Sequence, residues 1–201
     1  MMEYIKSLKW IDYFYFCIFE PRRLVNLIGR KEGSPFLMGL VIVFIVSLFE
    51  IISFSMLGSE TRFFYYKITY GWVFVFLIFI LEIIVLSSLM DLFCQFRAHP
   101  GSIMLIINLV TFSFFPLFFI LPVVIIFTTI NFVPVFFYMF FTVLLHSWQA
   151  MIIIQGISEI HQISFGESLV TFLLPFIFVG LILFFLLILF FINLVGFISA
   201  F

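Results

Sequence analysis

Charge is what this sequence has least of. Of its 201 residues, 9% are charged, against 66% hydrophobic and 22% aromatic, with 35 Phe. An ordinary soluble domain carries about 25% charged residues. A water-soluble globule of this length needs far more polar surface to cover its core, which excludes a cytosolic enzyme and a disordered chain. Basic residues are scarcer still towards the C-terminus: from Ala98 to Phe201 the only charged side chains are Glu159 and Glu167. No basic face exists that could neutralise a run of phosphates, so nucleic acid is excluded as a partner. Cysteine is limited to Cys17 and Cys94, too few for a disulfide scaffold. Also missing are a His-Glu-x-x-His pair, a Gly-x-Ser-x-Gly elbow and a glycine-rich phosphate loop. No catalytic residue is assigned, no cofactor is implied, and the chain reads as a non-enzyme.

What remains is apolar sequence in lengths that match a bilayer. About 20 apolar residues carry a helix across the roughly 30 Å hydrocarbon layer. Phe36–Leu57 and Gly71–Phe93 are two such runs, separated by a polar break and an aromatic stretch. Residues 102–158 form an uninterrupted apolar stretch of 57, enough for two crossings. Its most turn-like place is Thr128-Thr129-Ile130-Asn131 with Pro134 beyond, giving spans over 102–127 and 132–158. After the polar stretch Glu159–Glu167 comes a last span over 168–192. The expected fold is all-α: a polytopic bundle of five transmembrane helices over 35–201, preceded by a basic arm over 1–34. Pro116, Pro122, Pro134 and Pro175 lie in or beside spans, where proline kinks helices.

Six of the nine basic residues, Lys6, Lys9, Arg22, Arg23, Arg30 and Lys31, precede residue 35. With the N-terminus inside, these six and Arg97 face the cytoplasm, leaving Arg62 and Lys67 outside, as the positive-inside rule favours. The C-terminus then lies on the far side, and both cysteines face a reducing compartment. The seven-residue apolar stretch Tyr13–Phe19 ends in Glu20-Pro21-Arg22-Arg23 rather than a cleavage site, so the N-terminus is expected to be retained.

The arm reads as an amphipathic interfacial segment. Ile5, Leu8, Ile11, Tyr15 and Ile18 recur at helical spacing, and Leu24, Leu27 and Ile28 share one side of a second short segment begun by Pro21. It is expected to lie with its apolar face in the bilayer and its basic residues towards anionic headgroups. Removing Met1–Lys31 should then leave the bundle folded. The same basic residues also serve to fix topology.

Ionisable groups inside a membrane are site candidates by default, because each costs several kcal/mol unless paired or hydrated. Three qualify. Glu50 lies 14 residues after Phe36, about 21 Å from the cytoplasmic end. Glu82 lies 11 residues before Phe93, about 16 Å from that end, and His146 lies 12 before Ser158, about 18 Å. Ser47, Glu50 and Ser53 share one helix face, and so do Thr142, His146, Gln149 and Gly156. Both faces are expected to point into the bundle. Glu50, Glu82, His146 and Gln149 form either a hydrogen-bonded cluster that holds helices together or a midplane site for a proton or cation. Two carboxyls and an imidazole are also a conceivable metal set, though no local motif spaces them. Asp91, near the end of its span, is placed to reach headgroup depth and to meet Arg97.

Three segments carry a family likeness. The arm reads Glu20-Pro21-Arg22-Arg23-Leu24-Val25-Asn26-Leu27-Ile28 before the first span. The second loop, Phe96-Arg97-Ala98-His99-Pro100-Gly101-Ser102, leads to a span containing Phe115-Pro116. Trp148 is followed eight residues later by Gly156, then by the polar stretch Glu159–Ser168 and the last span. Over roughly residues 15–192 the chain resembles the Yip-domain family of Ypt/Rab-interacting membrane proteins, in its shorter prokaryotic form. The resemblance implies five spans, a cytoplasmic N-terminus and a non-enzymatic, membrane-organising or partner-binding role in a cytoplasmic membrane. Its partners would be the lipid bilayer, anionic lipids included, and either membrane proteins or a second copy. Eukaryotic members carry long cytosolic N-terminal regions and work with Rab GTPases, where this chain has about 34 residues. The alternative is a small proton- or cation-coupled transporter or channel using Glu50, Glu82 and His146.

Overall fold

The computed structural model describes residues 9–29, 35–57 and 63–199, and among them every regular element is helical. Five helical stretches are long and apolar enough to cross a membrane, so the chain is an all-α integral membrane protein. Span one is α3, Pro35–Leu57, and span two is α4, Phe63–Phe96. Span four is α7, Pro134–His161, and span five is α8, Phe165–Ser199. Two short helices precede them, α1 at Lys9–Phe19 and α2 at Pro21–Gly29.

Helices α4 and α8 outrun the expected 71–93 and 168–192. The aromatic stretch after Phe63 contains no breaker, so α4 begins there. Ser164 and Glu167 form a capping box that starts α8 early: the Glu167 carboxylate accepts from the Ser164 backbone N–H at 2.9 Å, and the Ser164 hydroxyl accepts from the Glu167 N–H at 3.3 Å. Ser-x-x-Glu was there to be read.

Span three is the centre of the bundle. It consists of α5, Ile103–Ser113, a 3₁₀ turn, Phe115–Phe119, and α6, Ile120–Ile130. Pro116 sits in the 3₁₀ turn, where its missing N–H interrupts the ladder. Spans one, two and four all pack on α5. Contact is close because side chains at the seams are small. Gly39 of α3 lies against Thr111, and Gly156 of α7 against Leu109. Asn131 and Val133 take left-handed backbone (φ 55° and 37°), forming the expected turn before Pro134 opens α7. Span five packs chiefly on α4 and α7, and its residues 177–192 are exposed throughout.

The arm departs from expectation. Its apolar face covers protein rather than lipid: Leu24, Val25 and Ile28 are buried where α2 packs on α5 and α7. In α1 the buried residues are Tyr13 and Cys17, while Ile11 and Tyr15 stay exposed. The expected face was therefore the wrong one. Residues 13–19 are apolar all round, so periodicity could not choose, and the aromatic surface of span three decides instead. Tyr13 stacks on Phe112 with ring centroids 5.2 Å apart, and Phe14 meets Phe115 at 4.6 Å. A segment with this burial is packed into the bundle's core. Arg22 and Arg23 are exposed; Lys6, Arg30, Lys31 and the side chain of Lys9 lie outside the described residues.

Candidate functional site

The candidates Glu50, Glu82, His146 and Gln149 divide into two places. On one, Glu50 of α3 is half-buried and its Oε1 accepts from the Tyr138 hydroxyl of α7 at 2.7 Å. Its helix-face companions Ser47 and Ser53 are fully buried, as expected. Tyr138 escaped the sequence reading, although a phenol four residues after Pro134 is a natural hydrogen-bond donor for an acid in a neighbouring span.

The other place is a cavity of about 210 Å³ between α4, α5, α7 and α8. Glu82, His146 and Gln149 line it, with Val110 behind them and Phe172 and Phe176 on the span-five side. Glu50 is not among its lining residues. The three ionisable groups share a depth but not a site: helix rotation separates Glu50 from the pair. Among the described residues no group of three or more His, Cys, Asp or Glu is arranged to hold a metal ion.

Of the three polar residues named here only Gln149 is buried; Glu82 and His146 are both exposed. This corrects the expectation that the whole Thr142–Gly156 face points inward. Gly156 and Gln149 do, but His146 lies further along α7, where span five leaves the flank uncovered. The Nδ1 of His146 lies 2.8 Å from the carbonyl oxygen of Thr142. A carbonyl only accepts, so Nδ1 carries the proton and Nε2 is left for another partner. Glu82 and His146 are close enough to interact electrostatically. An acid and an imidazole at the mouth of one niche can exchange a proton with each other or accept a polar group from a neighbour.

At the arm end of the bundle Asp91 is buried rather than at a solvated surface. Its Oδ1 accepts from the Ser102 backbone N–H and its Oδ2 from Gln95 Nε2, both at 2.7 Å. The carboxylate thus fastens the loop between α4 and α5 through Gln95 and the Ser102 N–H, where a pair with Arg97 is expected from the sequence. His99 and the buried His161 bring that loop against the end of α7, ring centroids 6.3 Å apart. Cys17 and Cys94 are both free and buried.

No protein-family model matches this chain, and neither a curated protein nor a solved structure matches it.

Proposed function

We propose that the chain is a non-enzymatic, Yip-like integral membrane protein that docks a membrane-protein partner or a second copy through its α4/α7/α8 flank. It would sit in a cytoplasmic membrane with the arm in the cytoplasm and the C-terminus on the far side. The observation that carries this reading is the exposure of Glu82 and His146 inside the span region. Ionisable groups facing lipid are costly, and a partner that covers them removes the cost. The bare outer half of span five, beside the same niche, enlarges the surface such a partner would cover. The orientation is supported by Arg22, Arg23 and Arg97, all exposed at one end of the bundle.

Photo-crosslinking in native membranes tests this. Val143 is 68% exposed and lies one turn from His146. A crosslinker placed there should give a discrete adduct, lost when Glu82→Gln and His146→Ala are combined. Leu37, 60% exposed on α3, is the control. An adduct at 143 no stronger than that at 37 rejects the reading.

The shared niche of Glu82, His146 and Gln149 favours a second reading, a small proton- or cation-coupled transporter. It requires flux in proteoliposomes that Glu82→Gln abolishes. Flux that is absent, or unchanged by that substitution, rejects it.

A further inference from the structure

A second cavity lies at the ends of the spans. About 660 Å³ in volume, it lies where the arm meets the bundle, between α1, α2, α5 and α7. Its lining is divided in character. Phe16, Leu27, Leu105 and Ile160 supply apolar walls, while Arg23, Asn26 and Glu159 supply polar groups. Leu105 is in the first turn of α5 and Glu159 in the last turn of α7. The cavity therefore sits at the ends of the spans, where a bilayer changes from acyl chain to headgroup.

Its polar groups carry both signs of charge on facing elements. Arg23, on α2, is exposed; its Nε is held by Glu20 at 2.7 Å, which steadies the guanidinium and leaves its other N–H groups as donors. Among the described residues Glu159, on α7, receives a long contact from Asn26 Nδ2, 3.4 Å to Oε1. A guanidinium recognises a phosphodiester, and a carboxylate recognises a protonated amine that still has N–H groups to donate. We propose that this cavity binds a phospholipid whose headgroup carries both a phosphate and a primary amine, as in phosphatidylethanolamine. The phosphate lies at Arg23, the ammonium at Glu159, and the chains leave along Leu27 and Leu105.

This chemistry is selective. A purely anionic headgroup brings nothing for Glu159 and repels it. A choline headgroup has a cation without N–H donors, so it forms no hydrogen bond to the carboxylate. The arm's basic residues alone would favour anionic lipid; Glu159 and Glu20 shift the preference to a zwitterion.

Gly29 offers a clean steric test. It lines the cavity, and a Cβ there would meet nothing within 4 Å. Gly29→Leu therefore adds side-chain volume at the cavity from a position where its Cβ meets no described neighbour. The full-length protein is presented with equal amounts of ethanolamine, glycerol and choline phospholipids of identical chains, and bound lipid is read by native mass spectrometry. The ethanolamine lipid should be retained about tenfold over the choline lipid, the scale of one charge-assisted hydrogen bond. Glu159→Gln should bring the two level, Arg23→Gln should lower both, and Gly29→Leu should lower ethanolamine lipid with both charged groups intact. Equal retention of the three lipids, a preference for the glycerol lipid, or indifference to Gly29→Leu and Glu159→Gln overturns the proposal. Water-soluble glycerophosphoethanolamine is the final arm: displacement of the lipid at matched concentration would assign the site to a free headgroup instead.

Discussion

The thiol of Cys17 donates to the backbone carbonyl of Phe112 over 3.1 Å, joining the arm to the centre of span three. In a continuous helix that carbonyl would accept from the N–H of residue 116. Proline stands there and has no N–H. The break at Pro116 thus frees an acceptor in the bundle core, and the arm brings a donor to it, with Tyr13 stacked on the same Phe112. The proline and the arm are parts of one arrangement.

Replacing the thiol should therefore separate two variants. Cys17→Ser keeps a donor in place, whereas Cys17→Ala removes the side-chain donor and should cost about 1 kcal/mol. Burial also pushes the Cys17 thiol from its ordinary 9.0 up to about 12. Because the folded value is the higher one, the neutral thiol is fully compatible with folding below pH 9, and stability falls as pH rises from 9 towards about 12. The difference between wild type and Cys17→Ala, measured by denaturation in detergent, should be constant up to pH 8 and shrink above pH 9. A difference that persists unchanged into that range contradicts this account. The native thiol should also resist alkylation at neutral pH and react once the protein is unfolded.

The arm itself should behave as core. Leu24 is fully buried where α2 packs on span four, and Leu24→Ala should lower stability by about 2–4 kcal/mol. Deleting the arm through Gly29 should give a protein that aggregates on extraction. Monodisperse truncated protein with unchanged thermal stability would show that the arm is dispensable.

Tyr138 and Glu50 join span four to span one. Tyr138→Phe removes the donor and leaves a carboxyl in the membrane without it, at a cost of about 0.5–2 kcal/mol. Glu50→Gln keeps an acceptor for the phenol and should be milder. Denaturation of both variants in the same detergent decides this, and the reverse order would mean that Glu50 has a more important partner than Tyr138.

Much of this was legible in the sequence because the bilayer restricts the options. Apolar length gave five crossings, and Asn131 with Pro134 marked the turn between spans three and four. Rotation was not legible. Glu50, Glu82 and His146 could be placed at a common depth by counting residues, yet depth does not say which way a helix faces when it is apolar all round. Glu50 consequently meets Tyr138, while Glu82 and His146 line one cavity. The same degeneracy hid the buried face of α1. Asp91 was misjudged for another reason: its partners are a backbone N–H and an amide, and neither advertises itself as a charge would.

The closest helix contacts make the last prediction. Trp148 and Gly156 were singled out as a family-like spacing, and the structure supplies a physical reason for the glycine. A Cβ at 156 would run into the side chain of Leu109, and one at 39 into Thr111. At 39 the obstacle includes the Thr111 Cβ, which cannot swing aside, whereas at 156 it is mostly the flexible end of a leucine. Gly39→Ala should therefore be the more damaging, by about 1–3 kcal/mol, and Thr111→Ser should not relieve it, since it retains both the Cβ and the hydroxyl. Gly156→Ala should be rescued in part by Leu109→Ala, which empties the space the new methyl needs. A double-mutant cycle over each pair measures this coupling. Additivity within about 0.3 kcal/mol at Gly156 and Leu109 would show that the two helices do not meet there.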